Sequence, residues 1–247
     1  MKDRVAVIVG ATDDVGRAIS TRFARSGART VLIDIDRQPL AETLRMVEEA
    51  GGRGEILALD PTDAQAVKGA VESLAKRYDS IDVLVNNIDR KDASTAASTI
   101  ESWERSLRDN VVPLVSFCLN IIPVMKKRGY GRIVNVGSLD YLGTANQSPY
   151  STSKSAVFGL TRSFALELAK DGITVNQILK GDIKTTADAL SPEAEEQSAA
   201  RLPVQRLGKP EDIAYAATYF ASEISRYVTG QNLIVCGGKS IYSSMSA

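Results

Sequence analysis

With 247 residues, 44% of them hydrophobic, the chain is long enough to bury one large core, and an α/β sheet of this length commonly stays one domain. Thirty Lys and Arg residues balance thirty Asp and Glu residues, so no net field draws the molecule to nucleic acid or to an anionic membrane surface, and a small-molecule ligand is expected. The absence of histidine removes Ser-His-Asp and Cys-His catalysis and His-ligated zinc, and no metal site is expected; acid/base chemistry falls to Tyr, Lys or carboxylates.

The N-terminal Met1-Lys2-Asp3-Arg4 runs straight into a strand-like segment without a signal-peptide pattern. No apolar run approaches the roughly 20 residues of a membrane helix, so a cytoplasmic location and no membrane partner are expected. Segments rich in β-branched residues at 4–9, 29–34, 55–59, 81–86, 132–136, 173–179 and 232–235 read as strands. Between them, amphipathic stretches at 15–26, 39–50 and 63–78 read as helices, the first two ending at Gly27 and Gly51-Gly52 and the third opening at Asp63. This alternation predicts a parallel sheet with helices on both faces. The polar segment 186–201, rich in Ala, Glu and Ser, is either a cover over the site or an ordinary solvated helix. Cys118 and Cys236, far apart and each among apolar neighbours, are expected to be buried free thiols.

The first strand leads into Gly10-Ala11-Thr12-Asp13-Asp14-Val15-Gly16 and then a helix, where backbone N–H groups and a helix N-terminus can meet a dinucleotide pyrophosphate. Asp34 ends the second strand, placed to bond both ribose hydroxyls and repel a 2′-phosphate. That favours NAD over NADP, although Arg37 keeps NADP open. Tyr150 and Lys154 lie four residues apart on one helix face, so a neighbouring ammonium, together with a cationic nicotinamide, is expected to lower the phenol's pKa toward that of a usable base. Ser138 follows the strand 132–136 at the carboxyl edge of the sheet, where it can hold a substrate oxygen.

The glycine turn resembles that of the short-chain dehydrogenase/reductase family, and the likeness spans essentially the whole chain. Asp60-Pro61-Thr62-Asp63 resembles the family's adenine-contacting turn, Asn86-Asn87-Ile88-Asp89 its Asn-Asn-Ala-Gly segment, and Asn110 its helix Asn. Ser138, Tyr150 and Lys154 resemble its catalytic residues, Gly181 through Thr185 with Ile183 its Pro-Gly turn, and segments 206–214 and 227–231 its C-terminal motifs. The resemblance implies a single-domain Rossmann-type doubly wound parallel sheet, with a dinucleotide-binding half at about 1–130 and a catalytic, substrate-binding half at about 131–247. It also implies a secondary alcohol or ketone substrate, with a hydroxyacyl or oxoacyl group as one candidate. Tyr150 would be the acid/base, Lys154 would hold the nicotinamide ribose, and Asn110 would prop a water on the proton path. Cofactor contacts fall to Gly10, Asp14, Val15, Gly16, Asp34, Asp60, Pro61, Asn87, Tyr150, Lys154, Gly181, Ile183 and Thr185. Helices at 101–128 and 149–170 would pair with their copies in a homo-tetramer or dimer.

Three departures fall where the family faces its cofactor: Asp14 for the middle glycine, Asp89 for the glycine of Asn-Asn-Ala-Gly, and Lys180 for the proline. Asp14 either opposes the pyrophosphate or caps the helix and turns outward. Lys180 can neutralise either aspartate. Two functions follow: an NAD-preferring oxidoreductase with Tyr150 as acid/base, or a cofactor-impaired subunit that stabilises or regulates an active relative in a hetero-oligomer. Substrate selection is expected around 140–148 and 187–201.

Overall fold

The computed structural model describes residues 1–91, 99–188 and 190–242. Among these, strands β1 (Val5–Val9), β2 (Arg29–Asp34), β3 (Arg53–Ala58), β4 (Val83–Asn86), β5 (Gly131–Ser138), β6 (Ile173–Lys180) and β7 (Asn232–Val235) form one parallel sheet in the order β3-β2-β1-β4-β5-β6-β7. The central strands β1, β4 and β5 are buried at every residue, which is why β1 reads as an unbroken apolar run without alternation. On one face pack α3 (Ala64–Tyr78), α4 (Ile100–Asn110), α5 (Val112–Arg128) and α6 (Ser148–Leu168), with Leu74, Phe117, Ile121 and Val157 in the core. On the other lie α1 (Asp14–Arg25), α2 (Arg37–Glu49) and α8 (Pro210–Phe220), which bury Ile19, Phe23, Leu40 and Phe220. The short helices α7 (Pro192–Ala200) and α9 (Lys239–Tyr242) lie near the strands' carboxyl ends.

The expected elements are present with shifted ends. The third strand begins at Arg53, the fourth at Val83, and the fifth continues to Ser138, so Ser138 is the last strand residue and not the one after it. The expected helix 101–128 divides at Val111, whose φ of −111° departs from helical geometry just before Pro113, a residue with no N–H to give. Within these two helices, Ile100–Arg128, one 18-residue window is apolar enough for a membrane helix by length and composition, but the span is interrupted by charged residues of α4 and part of it packs into the core. Their face carrying Leu114, Phe117, Ile121 and Met125 belongs to the core. Cys118 is buried, its thiol pushed up to about 12 by burial, whereas Cys236 is only half-buried and bonded to Ser240. The second thiol therefore departs from expectation, because it follows the end of the edge strand β7.

The sheet order reverses direction between β1 and β4, and the segments leaving β1, β2, β4, β5 and β6 all emerge at that carboxyl edge. In open parallel sheets this crevice is where ligands bind.

Candidate active site

The glycine turn keeps its shape for reasons internal to the chain. Gly10 has φ +77°, and a Cβ there would lie 1.9 Å from the Asn87 carbonyl oxygen; one on Gly16 would lie 2.1 Å from that of Gly10. The glycines are thus demanded by backbone packing whether or not a dinucleotide binds. The helix cap is Asp13, a residue that sequence reasoning passed over: its Oδ1 accepts from the Gly16 N–H at 2.6 Å and from Asn87 Nδ2 at 2.8 Å. Asn87 also donates to the Gly10 carbonyl. Burial raises the Asp13 pKa against these hydrogen bonds. Its position before an apolar-periodic helix was a readable N-cap signal.

Asp14 neither meets the cleft nor caps. It opens α1, and its Oδ2 accepts from the Thr186 N–H and, at 2.9 Å, from the Thr186 hydroxyl, tying the helix to the segment before α7. This third role replaces both of those expected from the sequence, opposing a pyrophosphate and capping the helix. Ala189 of the supposed cover lies outside the described residues. Asp14→Ala is expected to lower the melting temperature by only about 2–4 °C, the worth of roughly 1 kcal/mol of exposed hydrogen bonding, while speeding proteolytic cleavage within 184–201. Unchanged cleavage would show that the tie does not restrain that segment.

Asp34 sits at the cleft as expected, but its carboxylate already has partners: Oδ2 accepts from the Thr12 N–H at 3.2 Å and the Thr12 hydroxyl at 2.6 Å, and Oδ1 from the Ile35 N–H. Asp60 accepts from Thr62 instead of facing the cleft, while Pro61 lines it. Val15 is buried in the core, and Gly181 lies against Cys236, where a Cβ would come within 2.6 Å. Ile183 pairs with Gly208 and, with Thr185, lines the neighbouring cleft.

Asp89 is the hub. The Tyr150 hydroxyl donates to its Oδ1 at 2.6 Å, Lys154 Nζ lies 3.0 Å from the same oxygen, and Lys180 Nζ lies 2.8 Å from Oδ2. Lys154, 2% exposed, also donates to the Ile88 carbonyl at 2.8 Å. Burial works to raise the Asp89 pKa, but the Lys154 and Lys180 ammoniums hold it well below the usual carboxylate range. Lys180 is raised, Asp89 overcoming its burial, whereas burial pulls Lys154 below the ordinary lysine value. The Tyr150 pKa is pushed far up, first by burial and then by the Asp89 charge. Burial and the Asp89 carboxylate that accepts the phenolic proton here outweigh Lys154, opposite to the lowering expected from Lys154 together with a cationic nicotinamide.

A second carboxylate meets the other hydroxyl. Ser138 Oγ donates to Asp140 Oδ2 at 3.1 Å and accepts from the Asp140 N–H at 3.2 Å. Asp140 also receives the Thr144 hydroxyl at 2.7 Å, with Lys91 Nζ 3.5 Å away. Asn110 is buried at the α4–α5 break, exchanging hydrogen bonds with the Arg90 N–H and carbonyl and donating to Ser106. So Ser138 and Tyr150 share one cleft and Lys154 joins Tyr150 at Asp89, while Asn110 is held by Arg90 and Ser106, and each of the four is engaged by the chain itself. Asp140 and Lys91 carried no signal beyond ordinary loop charges.

Two clefts, of about 400 and about 590 Å³, meet at Asp89 and Lys91, which line both. The first contains Gly10, Asp34 and Asn87; the second contains Ser138, Tyr150 and Lys180.

Residues 10–240 match the family model described as Enoyl-(Acyl carrier protein) reductase. The chain belongs to the short-chain dehydrogenase/reductase family. Within that family of oxidoreductases it is 39% identical over 244 residues to (2S)-[(R)-hydroxy(phenyl)methyl]succinyl-CoA dehydrogenase subunit BbsC of Thauera aromatica, covering 98% of this chain and 97% of that protein. Subunit BbsD of the same organism is 35% identical, with 98% and 99% covered. The crystal structure of NAD⁺-bound xylitol dehydrogenase superposes with a TM-score of 0.88 at 28% identity, covering 96% of this chain and 99% of that one. The family fold is thus one that holds a nicotinamide dinucleotide and acts between alcohols and ketones. At the site of that group here, Asp89 accepts the Tyr150 and Lys154 donors, Asp13 takes a helix N–H, and Asp34 accepts from Thr12 while lining the cleft.

Proposed function

We propose that this chain is a self-closed subunit of an alcohol/ketone oxidoreductase, assembled with an active short-chain dehydrogenase relative, and that its own centre does not turn over. The observation that carries this reading is that both hydroxyls of the quartet donate to internal carboxylates, Tyr150 to Asp89 and Ser138 to Asp140. A phenol whose proton is shared with a carboxylate, and whose pKa is raised, is a poor base for an alcohol proton. A serine donating to Asp140 has no proton left to polarise a carbonyl. Likeness to two subunits whose names specify a succinyl-CoA dehydrogenase supports a hydroxyacyl thioester as the substrate of the assembly.

A surface suited to a partner supports the same reading. The edge strand β7 exposes Leu233 and Ile234, and the preceding loop, with Tyr227 fully exposed, runs past Ala165 next to the exposed Leu166. Such apolar exposure on a sheet edge is ordinarily covered by another chain. Light scattering at micromolar concentration should give a dimer or larger assembly, and a monomer would contradict it.

The second reading is an NAD-preferring dehydrogenase in its own right, in which Asp89 swings aside. It is favoured by Ser138 and Tyr150 lining one cleft, by Lys154 meeting Tyr150 at Asp89, and by Asp34 at the other cleft. Activity separates the two. The purified chain should reduce neither NAD nor NADP with hydroxyacyl thioesters, and in a reconstituted pair Tyr150→Phe in this chain should leave turnover unchanged. Loss of turnover on Tyr150→Phe would establish the second reading.

A further inference from the structure

The Asp89 carboxylate sits in a seat built by three other side chains. Tyr150 and Lys154 come from the first two turns of α6 and Lys180 from the last residue of β6, and their donor atoms converge on Asp89 at 2.6, 3.0 and 2.8 Å. Asp89 reaches them from the segment that leaves β4, as a tethered occupant. It lines both clefts, and Tyr150 and Lys180 line the larger one beside it, so the seat opens on that cavity.

The charges around the larger cleft narrow what else can sit there. Asp140 pairs with Lys91 at 3.5 Å, and Asp182 takes Lys239 on both oxygens at 2.7 and 2.8 Å, so these two cations are already neutralised. The seat differs: two ammoniums, with side chains 2% and 17% exposed, share one carboxylate. Buried cations hold a well-placed anion through short charge-assisted hydrogen bonds and are costly to leave without one. Further along the cleft, Leu139, Ile183, Leu190 and Leu207 supply an apolar wall suited to an organic body.

We propose that the larger cleft is a carboxylate-binding site whose seat Asp89 fills as an internal ligand, and that its external ligand is a monocarboxylate with an apolar body. The ligand carboxylate takes the place of Asp89 on Tyr150, Lys154 and Lys180, reproducing its charge and its two oxygens, while the body lies against the leucines and Ile183. The inference deepens the proposed function and rests on Asp89 closing the centre; it adds the class of ligand that the closure keeps out.

The test is calorimetric titration of the full chain with benzoate, and with benzamide as its uncharged counterpart, in a buffer free of other carboxylates. Asp89→Gly should bind benzoate saturably, at least about tenfold tighter than benzamide and at least about tenfold tighter than the wild type, in which Asp89 competes. Adding Lys180→Met should weaken benzoate binding about tenfold and leave benzamide unchanged. Where Asp89→Gly is unfolded in buffer alone, benzoate should restore its far-ultraviolet circular dichroism and benzamide should not, because a ligand of the folded state shifts the equilibrium toward it. Asp89→Ser, which keeps a small polar side chain, should show the same preference. Neither binding nor a restored fold with benzoate in either variant, or an equal response to the two compounds, would overturn the site while leaving the closed centre intact. Wild-type affinity for benzoate equal to that of Asp89→Gly would instead overturn the closed centre, and with it the internal ligand.

Discussion

Asp89→Gly should raise affinity for NAD at least tenfold over the wild type, whereas Asp14→Gly alone should change it less than twofold. From sequence the two aspartates look equivalent, since both stand where the family keeps glycine. The structure separates them: Asp14 is turned to Thr186, while Asp89 accepts from Tyr150 and Lys154 and pairs with Lys180. Removing the Asp89 carboxylate frees the two donors assigned to the nicotinamide ribose and the substrate oxygen, and it turns a balanced cluster into a cationic one that attracts an anionic ligand. A tenfold gain is about 1.4 kcal/mol, modest beside the charge interactions released. Asp13 remains on the Gly16 N–H, so affinity should stay below that of an unobstructed glycine turn. Lys180→Pro should matter in the wild type, where it strips Asp89 of one cation, and much less in Asp89→Gly, because residues of one network are not additive. Parallel titrations of the single and double variants check all of this; equal responses to Asp14→Gly and Asp89→Gly would contradict the separate roles.

The second large effect is on stability. Asp89→Asn should destabilise the protein by about 3 kcal/mol at pH 7, a drop of roughly 6–12 °C in melting temperature, because it leaves two buried ammoniums without their counter-charge. The sign of the pH dependence follows from the depressed Asp89 pKa. A carboxyl whose folded pKa lies below its unfolded value of about 3.9 stabilises fully above that value and loses the contribution as pH falls through the folded pKa. The gap between wild type and Asp89→Asn should therefore be flat from pH 5 to 8 and close below about pH 4. Lys180, whose pKa is raised, contributes below the ordinary lysine value and loses that contribution only as pH rises through its higher folded value. Lys154, lowered by burial, acts in the opposite sense and partly offsets the cluster at neutral pH. Melting curves from pH 2.5 to 8 measure this, and a gap that persists undiminished at the acid end would show that Asp89 is not held as an anion.

Much of the architecture was legible because parallel strands buried on both faces announce themselves as runs of apolar and β-branched residues, as Val5–Val9 does outright and Ile173–Lys180 does through Ile173, Val175, Ile178 and Leu179. Edge and end positions were less so. β3 is half-exposed along most of its length, so its first residues looked like loop, and the break at Val111 depends on Pro113 and on Asn110 turning its amide to Arg90. At the site, Tyr150 and Lys154 were readable from helical spacing and Lys180 from its replacement of a proline. The partners were not readable, because partner choice depends on side chains brought together across the sheet edge. Asp89 meets Tyr150 across 61 positions, and Asp14 meets Thr186 across 172. A Tyr beside a Lys implies a lowered phenol pKa only while no third group intervenes, and here Asp89 does.

The central claim is that the chain's own carboxylates close its reaction centre, and the measurement that meets it most directly is calorimetric titration of the wild-type protein with NAD. No saturable heat is expected up to about 1 mM ligand, an affinity weaker than about 4 kcal/mol, with binding emerging in Asp89→Gly. Micromolar NAD binding by the wild type, unchanged by Asp89→Gly, would mean that the carboxylate yields freely to the cofactor and that the centre is open.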